Sequence, residues 1–211
     1  MYTVKEIFYS LQGEGARAGR PAVFCRFAGC NLWNGRESDR QEAICSFCDT
    51  DFMGSDGLGG GKFRDPHHLA KTLAQYWPEE QGKRRPYLVF TGGEPLLQLD
   101  ASLLDAVHQQ GFEVAIETNG TRLPPAGVDW VCVSPKAGSD WILKQGNELK
   151  LVYPQSGLMP ECCQSAEFDM FYLQPMDDGR QAQHTQDCVA YCLDHPLWNL
   201  SLQNHKLLKI R

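Results

Sequence analysis

No stretch of about 18 consecutive apolar residues occurs in this 211-residue chain, so nothing in it reads as a membrane-spanning helix. The N-terminal MYTVKEIFYSLQGEG lacks the apolar centre and small-residue cleavage site of a secretory leader, and a cytoplasmic protein is expected. Positive charge is scarce. Against 26 Asp and Glu stand 20 Lys and Arg, a net charge of -6, which removes the electrostatic case for binding nucleic acid or an anionic membrane. Any anionic ligand has to be held by a few local cations. Internal repeats and low-complexity tracts are missing too, which leaves one domain over 1–211 as the expectation, since this length buries a single sizeable core.

What is abundant is cysteine. Nine is a high count and an odd one, and in a cytosolic chain such residues serve more often as metal ligands or buried thiols than as disulfides. Around them runs an alternation of elements. The segment AVFCRFAGC, Pro21 to Cys30, reads as a buried strand ending in a Gly turn, and similar runs recur at Tyr87–Phe90, Phe112–Glu117, Trp130–Ser134, Leu149–Tyr153 and Met170–Leu173. Helical spacing occupies Pro66 to Tyr76, Leu96 to Gln110 and Thr185 to Leu193. Strands alternating with helices imply a parallel sheet with crossover helices. Six such units fall short of the eight of a closed barrel, so an α/β fold of partial (β/α)6 type, open on one side, is expected. The first two strands are separated by about sixty residues rich in Gly, Asp and Cys, and loops of that length are usually functional.

Three cysteines cluster in that loop. Fourteen residues separate Cys30 from Cys45 and two separate Cys45 from Cys48. A structural zinc site is closed by four ligands, whereas a four-iron cluster held by three thiolates leaves one iron open to another molecule. That open iron suits chelation of the amino and carboxylate groups of S-adenosylmethionine (SAM). Zinc stays open as an alternative if His67 or His68 supplies a fourth ligand. Cys25, Cys132, Cys162, Cys163, Cys188 and Cys192 are scattered and read as small buried hydrophobes.

Thr91, Gly92, Gly93, Glu94 and Pro95 follow the run YLVF directly. Two glycines let a ligand approach the backbone, and a carboxylate beside them accepts hydrogen bonds from an ammonium, here the methionine amine. The plain reading is a tight turn with Glu94 capping the next helix. Glu117, Thr118, Asn119 and Gly120 end the next strand, and Ser134, Pro135 and Lys136 the one after. Polar residues at successive strand ends suit the rim of a barrel site, although each alone is an ordinary turn.

Taken together, the cysteine loop, GGEP, ETNGT and VSPK resemble the radical SAM superfamily and, within it, the 7-carboxy-7-deazaguanine synthase family. The opening EIFYSLQGEGARAGRPAVFCRFAGCNLW is similar to the start of that family and LSLQNHKLLKIR to its end, although Asn204 stands where the family has Thr. The wide first cysteine gap departs from the short spacing of most radical SAM enzymes and resembles the expanded cluster loop of some members of this family. The resemblance implies conversion of 6-carboxy-5,6,7,8-tetrahydropterin into 7-carboxy-7-deazaguanine with loss of ammonia, on the way to queuosine and related deazapurines. It implies a [4Fe-4S] cluster, SAM, Mg2+, a homodimer and an external flavodoxin-like or ferredoxin-like electron donor.

On this resemblance Gln12, Gly13 and Glu14 meet the pterin edge, and Arg26 clamps the substrate carboxylate, with Thr91, His205 and Arg211 completing the substrate site. Phe47, Asp49, Thr50, Gly92, Gly93, Glu94, Ser134, Pro135, Lys136, Gln174, Pro175, Met176 and Asp177 surround SAM, with Asn119 as a further contact. Thr50 is the implied Mg2+ ligand, with Asp49 or Asp51 the choice on residue chemistry alone. A C-terminal tail, residues 203–211, closes on the site or else packs on the core as an ordinary tail. Tyr9 and Trp33 are assigned to packing. Two rival functions remain in view: a radical SAM activase of a glycyl radical enzyme, which needs an open peptide groove, and a non-catalytic zinc-stabilised binding module.

Overall fold

The computed structural model describes residues 1–78 and 85–211. Apolar runs that alternate or are continuously buried pair into one sheet. In chain order its strands are β1 (Tyr2–Leu11), β2 (Pro21–Phe27), β3 (Gly61–Phe63), β4 (Tyr87–Gly92), β5 (Glu113–Thr118), β6 (Trp130–Val133), β7 (Gln145–Tyr153), β8 (Glu167–Pro175) and β9 (Trp198–Leu200). Their order across the sheet is β3-β1-β2-β4-β5-β6-β7-β8-β9. From β2 to β9 every neighbouring pair is parallel. The six expected strands are six of these seven, in the expected order, and the sheet is open at β3 and β9, as a partial barrel is.

Sequence periodicity did not reveal β1, β3 or β9. β1 pairs antiparallel with both β2 and β3, so the sheet is not wholly parallel. A bulge between Val4 and Glu6 shifts the phase of β1, which hides its alternation: Tyr2 and Val4 are buried, then Ile7 and Phe8. β3 and β9 have three residues each, too few to show a period.

Helices α1 (Pro66–Ala74), α2 (Ala101–Gln109) and α3 (Gln181–Asp194) fall where helical spacing was read. The expected helix from Leu96 to Gln110 is split. A short 3-10 turn covers Pro95–Leu97, and α2 starts afresh after Asp100, whose carboxylate caps the Leu103 N–H at 2.9 Å. No α-helix stands between β5 and β6 or between β6 and β7. The core divides accordingly, one part under α1 and α2 against β1, β2, β4 and β5, the other under α3 against β7, β8 and β9. A short α4 (Asn204–Leu208) ends the chain.

Candidate active site at the strand ends

Parallel strands bring their C-terminal ends to one rim, and there a cavity of about 390 Å³ opens. Cys30, Cys45 and Cys48 line it together with Gln12, Gly13, Glu14, Arg26, Phe47, Asp49, Thr50, Thr91, Gly92 and Gly93. Asn119, Ser134, Lys136, Gln174, Pro175, Asp177, His205 and Arg211, also from the expected set, line it as well. Residues 180 or more apart in sequence thus meet in one hollow.

The cluster loop is fastened by its own side chains. Arg40 lies 4.2 Å above the Trp33 ring and donates to the carbonyls of Ser46 at 2.9 Å and Cys48 at 2.8 Å. Trp33 also packs edge-on against Phe52, 5.5 Å between centroids, which is the packing role read from the sequence. Tyr9 packs in the same manner on Trp77 at the surface. None of the nine cysteines is in a disulfide. A hydrogen bond between Cys45 and Cys48 raises the Cys45 thiol and pulls Cys48 down to about 6, while burial raises Cys30. Although no three His, Cys, Asp or Glu side chains among the described residues stand in a closed metal-binding group, three thiols on one wall are the donor set a site-differentiated iron cluster takes. His67 and His68 lie on α1, outside this wall, and His68 packs on Phe63. The fourth zinc ligand weighed above is therefore not brought to the cysteines.

Gly93 shows why glycine is needed at the turn. A Cβ there would stand 2.1 Å from the Gly29 carbonyl oxygen and 2.8 Å from Cys30 Cβ, so the turn presses directly on the first cysteine. Gly92 has φ 142° and would meet the Phe27 oxygen at 2.3 Å.

Glu94 sits behind the rim. It is fully enclosed and does not line the cavity; its carboxylate accepts from Leu96 N at 2.9 Å, Thr118 Oγ1 at 2.7 Å and Asn119 N at 2.8 Å. It braces the ends of β4 and β5 from behind and caps the turn at Pro95, the plain reading weighed from the sequence. Pro135 and Met176 also stand outside the cavity lining. Lys136 folds back on Ser134, 2.7 Å from its hydroxyl, and burial lowers its pKa.

On the opposite wall charge is paired. Arg26 Nε meets Glu6 at 3.0 Å, and the other Glu6 oxygen is 3.3 Å from Arg211. Lys150 bridges Glu14 at 2.7 Å and Glu117 at 2.9 Å. Gln12 donates to the free oxygen of Glu117 at 3.0 Å. Burial alone would push the Glu14 carboxyl up, but the Lys150 ammonium and the bonds from Lys150 and Gln203 hold it below its usual range. Asp51 is paired with Lys5 at 3.0 Å and Asp49 with Lys206 at 2.5 Å, so both acidic alternatives to Thr50 already carry cations.

The tail lies against this wall. Asn204 N donates to Gly13 O at 3.0 Å, a backbone contact that does not depend on the departing side chain at 204. A Cβ on Gly13 would stand 2.2 Å from His205 Nδ1, so glycine there is what admits the imidazole. Lys206 ties Asp49 of the cluster loop to Asp177 past β8, and the Arg211 oxygen accepts from Ser10 Oγ at 2.5 Å. Sequence reasoning missed Glu6, Lys150, Gln203 and Lys206. For Lys150 a signal existed: a lone cation inside the apolar run LKLVY is rarely buried without a partner.

An open parallel sheet with a three-cysteine loop at its strand ends defines a radical SAM enzyme, and the radical SAM superfamily profile matches residues 42–150. Membership of that superfamily carries an iron–sulfur cluster and SAM as cofactors. Curated relatives called 7-carboxy-7-deazaguanine synthase are 62% identical over 209 residues in Bordetella pertussis, covering 99% of each chain. The one from Bradyrhizobium diazoefficiens is 57% identical, covering 100% of this chain and 99% of that one. A crystal structure of QueE from Escherichia coli superposes with TM-score 0.67 at 26% identity, covering 97% of this chain and 94% of that one. The chain belongs to the 7-carboxy-7-deazaguanine synthase family.

Proposed function

We propose that the protein converts 6-carboxy-5,6,7,8-tetrahydropterin into 7-carboxy-7-deazaguanine with loss of ammonia. The observation that carries this reading is the single hollow in which the three-thiol wall faces a wall of paired carboxylates, amides and arginines across a space of small-molecule size. A hollow of this size, with His205, Lys206 and Arg211 of the tail among its lining, suits a small molecule better than a peptide.

Cys30, Cys45 and Cys48 would hold the cluster, and Gly92, Gly93, Ser134, Lys136, Phe47, Asp49, Gln174, Pro175 and Asp177 would surround SAM. When bound, these cofactors supply a 5′-deoxyadenosyl radical able to take a hydrogen from the pterin carbon that bears the carboxylate. The chain's own side chains do the rest by holding and enclosing. Glu14 accepts from the pterin N–H edge and Gln12 offers its amide oxygen beside it, with Gly13 giving close backbone approach. Arg26, oriented through Nε by Glu6, keeps its terminal nitrogens for the substrate carboxylate. Thr91, His205 and Arg211 close the remaining sides and keep water out. Thr50 offers a hydroxyl to Mg2+, which needs few protein oxygens when the substrate supplies others. Homodimerisation and reduction by a flavodoxin-like or ferredoxin-like protein in the cytoplasm belong to the same proposal.

The test is anaerobic reconstitution with iron and sulfide, then assay with the tetrahydropterin, SAM, Mg2+ and a reductant. A brown protein that forms 5′-deoxyadenosine and a deazaguanine carboxylate supports the proposal. A brown protein that leaves the pterin untouched overturns the substrate assignment.

A further inference from the structure

β7 turns Leu149 and Leu151 into the core under α3 and leaves Lys150 and Val152 facing the cavity. The Lys150 side chain is only 4% exposed. Burying an ammonium costs several kcal/mol unless partners surround it, so this lysine needs a reason to be there. Its partners come from both sides of the hollow. Glu14, past the end of β1, lies 2.7 Å away, and Glu117, near the end of β5, lies 2.9 Å away. The second oxygen of each carboxylate is held by an amide, Gln203 on Glu14 at 3.1 Å and Gln12 on Glu117 at 3.0 Å. Each carboxylate is therefore fixed at two points, with Lys150 common to both.

We propose that Lys150 is a positioning residue that fixes Glu14 and Glu117 as a pair of ionised acceptors for the N–H edge of a bound pterin. The inference rests on the substrate reading above and adds Lys150 and Glu117 to it. The charge balance supports it. A third carboxylate, Glu148 of β7, faces the same interior, accepting from Ala16 N at 3.1 Å and from Cys132 Sγ at 3.6 Å. Lys136, past β6, and His205, on α4, also face the group. Burial would lower the Lys150 pKa, but Cys132, Glu117, Glu14 and Glu148 around it hold it well above the usual value. Burial raises the Glu148 carboxyl, and this lysine opposes that rise. Without the ammonium, like-charged buried carboxylates cannot all remain ionised near neutrality. A carboxylate that takes up a proton there presents a donor where the substrate edge needs an acceptor.

The experiment compares wild type, Lys150→Met and Lys150→Arg in the reconstituted enzyme, with folding followed by circular dichroism. Wild type is assayed first, and absence of pterin turnover there refutes the substrate reading itself. Given turnover, Lys150→Met is expected to raise KM for the pterin about tenfold or more. Its kcat/KM should rise with pH between about 6 and 8, where the wild-type profile is expected to be flat. Adding Glu117→Gln, which removes one of the competing charges, should flatten that profile again. An unchanged KM with a flat profile in Lys150→Met overturns the inference. Lys150→Arg keeps the charge, so it serves where the Met variant does not fold: a raised KM with a flat profile supports the inference. If 5′-deoxyadenosine formed without pterin falls in parallel with pterin turnover, the role is structural and the inference fails.

Discussion

Two glutamates show the same physics at opposite ends of the barrel. Glu113, at the start of β5, takes both terminal nitrogens of Arg20, one at 3.0 Å, and Arg17 at 3.2 Å, while Arg20 stacks 3.7 Å over Tyr87. The Arg20 bond holds its carboxyl below the usual value. A depressed folded pKa contributes stability above the unfolded value of about 4.3 and loses it as pH falls through the folded one. Glu113→Gln is thus expected to lower stability at neutral pH by about 1 kcal/mol, screened because the pair is partly solvated. Urea melts at pH 7 and at pH 3 check it, the gap between variant and wild type narrowing at the acid end. Glu14 spends its carboxylate on the cavity instead. Glu14→Gln should cut pterin turnover by about a hundredfold while SAM cleavage without pterin persists, read by chromatography of 5′-deoxyadenosine. Equal loss of both would remove Glu14 from the substrate site. Glu14 was legible because it stands in a recognisable QGEG segment, whereas its partner Lys150 was not, since only folding brings β7 beside the turn after β1.

Elements meet through caps and glycine contacts, and these also set how much was readable. Asp100 caps α2 through Leu103 N and also accepts the Tyr2 hydroxyl of β1 at 2.8 Å. Asp100→Ala should cost about 1 to 3 kcal/mol, more than an isolated cap, since it leaves the buried tyrosine without its partner. Chemical denaturation against a matched Asp65→Ala variant, which removes only the cap of α1, separates the two contributions. At the β4 turn, Gly93→Ala forces a methyl against the Gly29 carbonyl and Cys30. Reduced iron content after reconstitution is the expected result, and full iron with normal absorption would show that the loop yields freely. The turn and the cysteines were visible as local patterns. The bulged β1 and the missing crossover helices around β6 were not, because a phase shift erases a two-residue period and an absent helix leaves no signal of its own.

At the scale of the molecule, residues 203–211 lie against the cavity wall without entering the core. Their ties are polar: Asn204 to Gly13, Lys206 to Asp49 and Asp177, Arg211 to Glu6 and Ser10. No residue of this segment belongs to either core cluster. Deleting 203–211 should therefore leave the melting temperature within a few degrees of wild type and abolish pterin turnover. Thermal denaturation beside the activity assay tests it, and retained turnover would mean that the tail is an ordinary surface segment.

By itself the sequence determined the chemistry that depends on local spacing. Three cysteines in one loop, two glycines at a strand end and polar residues closing each of several parallel strands are all written in local segments of the chain. Only the tertiary structure decided which of these face a common space. It turned Glu94 inward as a brace, set Lys150 between two carboxylates more than thirty residues away on either count, and seated His205 against Gly13. The reason is physical. Residue type and spacing fix what a segment is able to bind, whereas burial and charge pairing between distant segments fix which groups remain available to a ligand.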